Sequence, residues 1–166
     1  MGAGKTAVGR RLAARFNLPF VDADEEIEAA AGCTISDIFA LHGEAAFRDG
    51  ERRVIERLLK QPGCVLATGG GAFMDPRIRQ AIKEAGISIW LKADLETLWH
   101  RVRRRSHRPL LNTEDPKATL EQLMQTRYPV YAEADITVES DDNPLDETVE
   151  RVITYIERFL ATDARS

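Results

Sequence analysis

The chain has few of the residues that form disulfide frameworks and zinc sites. It contains two cysteines, Cys33 and Cys64, and three histidines among its 166 residues. The cysteines are isolated from one another, and His42, His100 and His107 lack the spacing of metal ligands. This composition excludes a disulfide-stabilised scaffold. The first residues have no apolar core of a secretory signal, and we expect a cytoplasmic protein.

Long hydrophobic runs and low-complexity tracts are also absent. No stretch approaches the roughly 20 apolar residues that span a bilayer, so we expect no membrane segment. The 27 acidic and 23 basic residues give a net charge of −4, which argues against nucleic acid or a membrane as a partner. With 43% hydrophobic residues, the chain is predicted to form a single domain over residues 1–166.

Lysine is scarce, whereas arginine is abundant. The chain holds 18 arginines and 5 lysines. A guanidinium group recognises carboxylate and phosphate through paired hydrogen bonds. In an acidic protein, we therefore expect any anion-binding site to be a local concentration of arginine.

Helical and strand patterns alternate along the chain, which predicts an α/β fold with a parallel sheet. Asp75-Pro76 and Asp115-Pro116 each combine a helix cap with a proline suited to the first helical turn. The last helix has the clearest apolar stripe, formed by Leu145, Val149, Val152, Ile153, Ile156 and Leu160. The predicted strands cover residues 19–21, 64–68, 87–91 and 135–139.

The segment Gly2-Ala3-Gly4-Lys5-Thr6 precedes the first predicted helix, residues 5–16. It matches the end of a phosphate-binding loop, in which backbone N–H groups surround a phosphate at a helix N-terminus. Lys5 would then reach the phosphates and Thr6 would bind Mg²⁺. Two alternatives are a glycine-rich terminus without a ligand and a myristoylation signal, whose pattern the same letters satisfy.

Two further segments place polar groups or bare backbone after predicted strands. Asp22 and Asp24 end the first strand, where one could hold a metal shell and the other could take a proton. The alternative is that Asp24 only caps the helix that begins at Glu25. Gly69-Gly70-Gly71 follows the second strand, at the sheet edge where α/β proteins bind ligands. Its alternative is an ordinary turn, although three glycines suggest close approach of a ligand.

Three arginine positions need explanation. Arg127 lies on the inward stripe of its predicted helix and must have a partner, either a substrate anion or a structural acid. Arg48 flanks the apolar face of its own helix. The run from Arg101 to Arg108 is consistent with a solvated helix end, a nucleic-acid patch or a lid over a transferring phosphate.

Six segments in order, GAGKT, VDAD, ISDIFALHGEAAFR, LATGGGA, RPLL and RYPVY, resemble the shikimate kinase family over essentially the whole chain. The resemblance implies ATP-dependent phosphorylation of shikimate at its 3-hydroxyl, in chorismate and aromatic amino-acid synthesis. It also implies a monomer with the three-layer P-loop kinase fold, a mostly parallel sheet of order 2-3-1-4-5 and a sequence that begins after the first strand.

The resemblance also assigns roles to residues. Substrate-binding helices would cover about residues 24–60, and a lid about residues 103–115. The catalytic residues would be Lys5, Asp24 and Arg108, and the Mg²⁺ ligands Thr6 and Asp22. The nucleotide would be bound by Gly2, Ala3, Gly4, Lys5, Thr6, Arg101 and Arg108. Shikimate would be bound by Asp24, Arg48, Gly69, Gly70, Gly71 and Arg127.

Two other functions remain open on the sequence alone. One is another small-molecule kinase of the same architecture, such as a gluconate or nucleoside monophosphate kinase, although FR, GGGA and RYPVY are not expected together in a gluconate kinase. The other is a non-catalytic nucleotide-binding domain, which the incomplete phosphate loop motivates.

Overall fold

A computed structural model describes residues 2–104 and 111–163, in which helices alternate with short strands. The helices are α1 (Lys5–Phe16), α2 (Ala23–Ala31), α3 (Ile35–Leu59), α4 (Pro76–Ala85), α5 (Leu95–Val102), α6 (Pro116–Tyr131) and α7 (Leu145–Asp163). The strands are β1 (Phe20–Asp22), β2 (Val65–Ala67), β3 (Ile89–Lys92) and β4 (Ile136–Glu139). A 3₁₀ turn covers Ala72–Met74. The chain divides into two units, the middle unit (residues 9–87) and the split unit (residues 1–8 with 88–166).

The middle unit contains one pair of parallel strands. Phe20 of β1 lies opposite Val65 of β2, and Asp22 lies opposite Ala67. The carboxyl ends of β1 and β2 therefore lie at one edge, where α2 and the glycine segment begin. Val21 of β1 and Leu66 of β2 pack against a hydrophobic core that comprises Ile27, Ile38, Phe47, Val54 and Leu58.

Local signals explain the helix boundaries in the middle unit. Thr34 and Asp37 form a reciprocal capping box at the start of α3. Gly43 interrupts α3 with a φ of 80°, a conformation that a residue with a side chain rarely adopts. Gly32 ends α2 in the left-handed region. Asp75 caps α4, as the sequence predicted.

The split unit holds the second parallel pair, with Ile89 opposite Ile136 and Lys92 opposite Glu139. Asp94 and Asp115 cap α5 and α6 through hydrogen bonds to backbone N–H groups three residues on. In α7, the predicted apolar stripe is confirmed at its centre, whereas Leu160 is 51% exposed. The stripe is therefore shorter than its periodicity predicted.

The two strand pairs agree with the α/β class that the sequence predicted. The order 2-3-1-4-5 uses the family's strand numbers, and in it the second and third strands are neighbours, as are the fourth and fifth. The observed pairs β1–β2 and β3–β4 agree with these two pairs of neighbours. Within residues 2–104 and 111–163, no helix is long and apolar enough to cross a bilayer.

Candidate functional site

Two of the three glycines after β2, Gly69 and Gly71, make room for charged side chains of the middle unit. A Cβ atom on Gly71 would lie 2.5 Å from Nη2 and 2.7 Å from Cζ of Arg48. A Cβ atom on Gly69 would lie 3.2 Å from Oδ1 of Asp24 and 3.4 Å from Oε1 of Glu51. The groups that lie against Gly69 and Gly71 are an arginine and two carboxylates, and the close approach of a ligand to this segment stays a prediction.

Arg48 and Glu51 form the central ion pair of this cluster. They stand one helical turn apart on α3, and Nη1 of Arg48 donates to Oε2 of Glu51 at 2.8 Å. The Glu51 side chain is 2% exposed, whereas that of Arg48 is 34% exposed. Because a buried carboxylate is costly without a cation, Glu51 fixes the position of the guanidinium group. Nε of Arg48 also lies 3.6 Å from Oε1 of the exposed Glu44. Arg48 keeps an accessible surface with which it can meet a further anion.

The sequence reasoning missed Glu51. Its position is four residues after Phe47 and seven before Leu58, on the apolar face of α3. An acidic residue on such a face, one turn from an arginine, is the signal that could have identified it.

Asp22 and Asp24 have different structural roles. Oδ1 of Asp22 accepts a hydrogen bond from the backbone N–H of Asp24 at 2.9 Å, so Asp22 is the N-cap of α2. The alternative that Asp24 caps this helix is therefore wrong, because the helix begins two residues earlier than predicted. Asp24 lies in the first turn of α2, and its carboxylate lies beside Gly69.

The split unit contains the predicted phosphate loop. Gly2 and Gly4 have φ values of 72° and 87°, and no atom lies within 4 Å of a Cβ built on Gly4. Helix α1 begins at Lys5, has no acidic residue in its first turn, and exposes Thr6. The open backbone at a helix N-terminus fits an anion such as a phosphate group.

Arg101 and Ser140 hold the backbone of this loop. Nη1 of Arg101 donates to the carbonyl of Gly2 at 3.3 Å and to Oγ of Ser140 at 3.0 Å. Oγ of Ser140 in turn donates to the carbonyl of Ala3 at 2.9 Å. Arg101 was expected at the nucleotide; its Nη1 bonds to the loop that precedes α1, and its Nη2 donates to the carbonyl of Asp141.

Arg127 lies on α6 with the apolar residues of its predicted stripe. The side chain is half-buried and borders a small hydrophobic cavity. The neighbouring Tyr128 donates from its hydroxyl to the carbonyl of Ala93, and burial raises the pKa of Tyr128 to about 12. The other residues around the cavity are Leu98, Leu120, Leu123, Met124 and Tyr131. Pro129 lies within α6, which ends two residues later.

Arg108 and residues 105–110 of the predicted lid lie outside the described part of the chain. Within the described residues, no group of three histidine, cysteine or acidic side chains could hold a metal ion. Mg²⁺ in kinases is bound largely by phosphate oxygens and water, with one or two protein ligands. The exposed hydroxyl of Thr6 at the start of α1 fits that kind of site.

A family model, curated relatives and solved structures that match this chain point to one family. The family model described as shikimate kinase matches residues 1–157. The shikimate kinase of Paramagnetospirillum magneticum is 61% identical over 161 residues, which are 95% of this chain and 83% of that protein. A solved structure, shikimate kinase from Acinetobacter baumannii in complex with shikimate, aligns with a TM-score of 0.90 and 38% identity, covering 95% of this chain and 89% of that one.

A gluconokinase from Sinorhizobium meliloti aligns less well, with a TM-score of 0.63 and 20% identity over 99% of this chain and 91% of that one. At this identity the likeness concerns the fold alone. The described strands and helices, the match over residues 1–157 and the relative at 61% identity agree. The chain belongs to the shikimate kinase family and has its P-loop kinase fold.

Proposed function

We propose that this chain transfers the γ-phosphoryl group of ATP to the 3-hydroxyl of shikimate. The observation that carries the proposal is the charged cluster of the middle unit, in which Arg48, anchored by Glu51, and Asp24 lie against neighbouring glycines. A small acceptor with one carboxylate and several hydroxyl groups needs a cation and a hydrogen-bond acceptor held close together. The family relatives named shikimate kinase support the choice of acceptor.

On the acceptor side, Arg48 binds the carboxylate of shikimate. Its guanidinium group is already oriented by the buried Glu51, so less side-chain freedom is lost when the substrate binds. Paired guanidinium–carboxylate hydrogen bonds fix the orientation of the ring as well as its position. Arg127 is the second proposed carboxylate ligand, and Gly69, Gly70 and Gly71 line the acceptor site.

Asp24 orients the reacting hydroxyl group. Its carboxylate beside Gly69 can accept a hydrogen bond from an O–H group of the acceptor and can take its proton. Transfer of a phosphoryl group passes through a loose transition state, so the position of the hydroxyl matters more than the strength of the base. Asp24 therefore contributes first by alignment.

On the nucleotide side, residues Gly2 to Thr6 bind the phosphates. ATP supplies the phosphoryl group, and Mg²⁺ offsets the charge of its phosphates. The backbone N–H groups before and within the first turn of α1 orient the phosphates, with Lys5 as their cation. Thr6 and Asp22 are the proposed metal ligands, and Arg101 and Arg108 are proposed to complete the nucleotide site. We place the enzyme in the cytoplasm as a monomer.

The test is release of ADP with shikimate, gluconate or AMP as acceptor. We expect turnover with shikimate alone, and a Michaelis constant for shikimate that rises when Arg127 is replaced by alanine. Asp24→Asn should lower kcat by at least about 100-fold while the dissociation constant of ATP changes little. Turnover with gluconate or AMP but not shikimate would refute the proposed acceptor. Equal loss of ATP binding and turnover in Asp24→Asn would refute the role of Asp24.

A further inference from the structure

Ser140 occupies a fixed position at the end of β4. Its backbone N–H donates to the carbonyl of Lys92, the last residue of β3, at 2.6 Å, and its side chain is buried. The hydroxyl group donates to the carbonyl of Ala3 and accepts from Nη1 of Arg101. Because a hydroxyl has one proton to donate, its donor capacity is committed to the phosphate loop.

Hydrogen bonds of the next residue, Asp141, hold the segment that carries Ser140. The carbonyl of Asp141 accepts a hydrogen bond from Nη2 of Arg101. The carboxylate of Asp141 accepts two hydrogen bonds from Arg151 of α7, at 2.8 and 3.3 Å. Arg151 also lowers the pKa of Asp141, so this pair stays ionised at neutral pH. The segment that presents Ser140 is thus attached to β3, α5 and α7.

The two anchored carbonyls determine where the loop N–H groups point. In a trans peptide unit, the C=O and the N–H bonds point in opposite directions. Arg101 holds the carbonyl of Gly2 and Ser140 holds that of Ala3. The N–H group of Ala3 is therefore directed away from Arg101, and that of Gly4 away from Ser140, which leaves both able to donate to a ligand of the loop.

We propose that Ser140 is a positioning residue for the nucleotide, acting through the carbonyl of Ala3 on the N–H group of Gly4 that meets a phosphate. The inference rests on the nucleotide half of the proposed function and does not depend on the acceptor. Ser140 itself does not touch the phosphate. Its removal leaves the buried carbonyl of Ala3 without its hydroxyl donor and allows that peptide unit to rotate.

The test compares Ser140→Ala with Ser140→Thr, which keeps the hydroxyl group, and with Ser88→Ala. Ser88 is a matched control at the opposite end of the same strand pair, where its hydroxyl donates to Asp135 at 2.7 Å. By isothermal calorimetry, Ser140→Ala should weaken ATP binding by about tenfold, the effect of one lost hydrogen bond to a buried group. Ser88→Ala should stay within about twofold of the wild-type chain. Ser140→Thr keeps the hydroxyl group but adds a methyl group at a buried position, so its ATP affinity should lie closer to that of the wild-type chain than the affinity of Ser140→Ala does. In turnover assays, only the Michaelis constant for ATP should rise in Ser140→Ala.

A second measurement separates weaker ATP binding from a loss of stability in Ser140→Ala. Saturating ATP should raise the melting temperature of the wild-type chain and Ser140→Thr by more than that of Ser140→Ala. Equal shifts, or an unchanged ATP dissociation constant in Ser140→Ala, would overturn the inference. Binding of ATP without phosphorylation of shikimate would refute the acceptor alone, and the calorimetric comparison would still decide the role of Ser140. A wild-type chain that does not bind ATP would overturn both.

Discussion

Gly71→Ala places a methyl group where the guanidinium group of Arg48 lies. The new Cβ atom would be 2.5 Å from Nη2 and 2.7 Å from Cζ, whereas non-bonded atoms approach to about 3.5 Å. The backbone of Gly71 has φ −80° and ψ −17°, which alanine adopts without strain. The obstructed atoms are the end of a long side chain, so Arg48 must withdraw by about 1 Å while the glycine segment keeps its path.

The size of the effect follows from the contact that Arg48 loses. The 2.8 Å hydrogen bond to the buried Glu51 orients the guanidinium group. A hydrogen bond to a charged group contributes about 1.5–3 kcal/mol. If substrate binding depends on that orientation, the Michaelis constant for shikimate should rise by about 10- to 100-fold. The Michaelis constant for ATP should remain within about twofold, since the bonds that hold Gly2 and Ala3 involve Arg101 and Ser140.

Gly50→Ala is the matched control for this experiment. Gly50 lies two residues after Arg48 on α3, and no atom lies within 4 Å of a Cβ built there. Alanine in a helix interior is about 0.5–1 kcal/mol more favourable than glycine, so Gly50→Ala should raise the free energy of unfolding and leave both Michaelis constants unchanged. A wild-type Michaelis constant for shikimate in Gly71→Ala would show that the position of Arg48 does not govern acceptor binding. Equal increases in both variants would point to a general effect of altering this region.

Two further predictions concern packing and pH. A Cβ atom on Gly9 would lie 2.7 Å from Cε2 of Phe20, so Gly9→Ala should lower the free energy of unfolding in urea by about 1–3 kcal/mol; an unchanged midpoint would mean that the ring moves without cost. Burial raises the pKa of Tyr128 from its ordinary value of 10.0 to about 12, so the unfolded chain ionises first as the pH rises. Stability from this group is complete below pH 10 and is lost towards pH 12. Tyr128→Phe should reduce this loss in urea unfolding, and an identical pH profile would contradict it.

Much of the fold could be predicted because its signals are local. The aspartate–proline pairs at Asp75 and Asp115 cap α4 and α6, and α1 has the predicted bounds Lys5–Phe16. A cap requires only a side-chain oxygen and the N–H groups that follow it, so neighbouring residues decide it. The prediction that Leu160 belongs to the buried stripe of α7 is wrong, because periodicity gives the face of a helix but not the point at which the elements packed against it end.

The candidate site could be predicted only in part. The sequence identified Arg48, Asp24 and the glycines as separate features, and the structure brings these three features together in the middle unit. Glu51 was missed because it is one of several acidic residues on α3, and only its place on the apolar face, one turn from Arg48, distinguishes it. Which aspartate caps α2 depends on where the helix begins. The helix begins at Ala23, two residues before the predicted start, so Asp22 is the cap, and sequence patterns do not fix a boundary this closely.

The hydrogen bond from Ser140 to Ala3 joins residues 137 positions apart. Closing so long a stretch of chain has a large entropic cost, which must be offset by contacts formed elsewhere. Helix α1 can begin from bonds between near neighbours, such as that from the N–H of Val8 to the carbonyl of Gly4. We therefore expect the phosphate loop to acquire its shape late in folding, once β3 and β4 have paired and carried Ser140 into position. On this expectation, a folding chain can form hydrogen bonds of α1 before it has a loop able to hold a nucleotide.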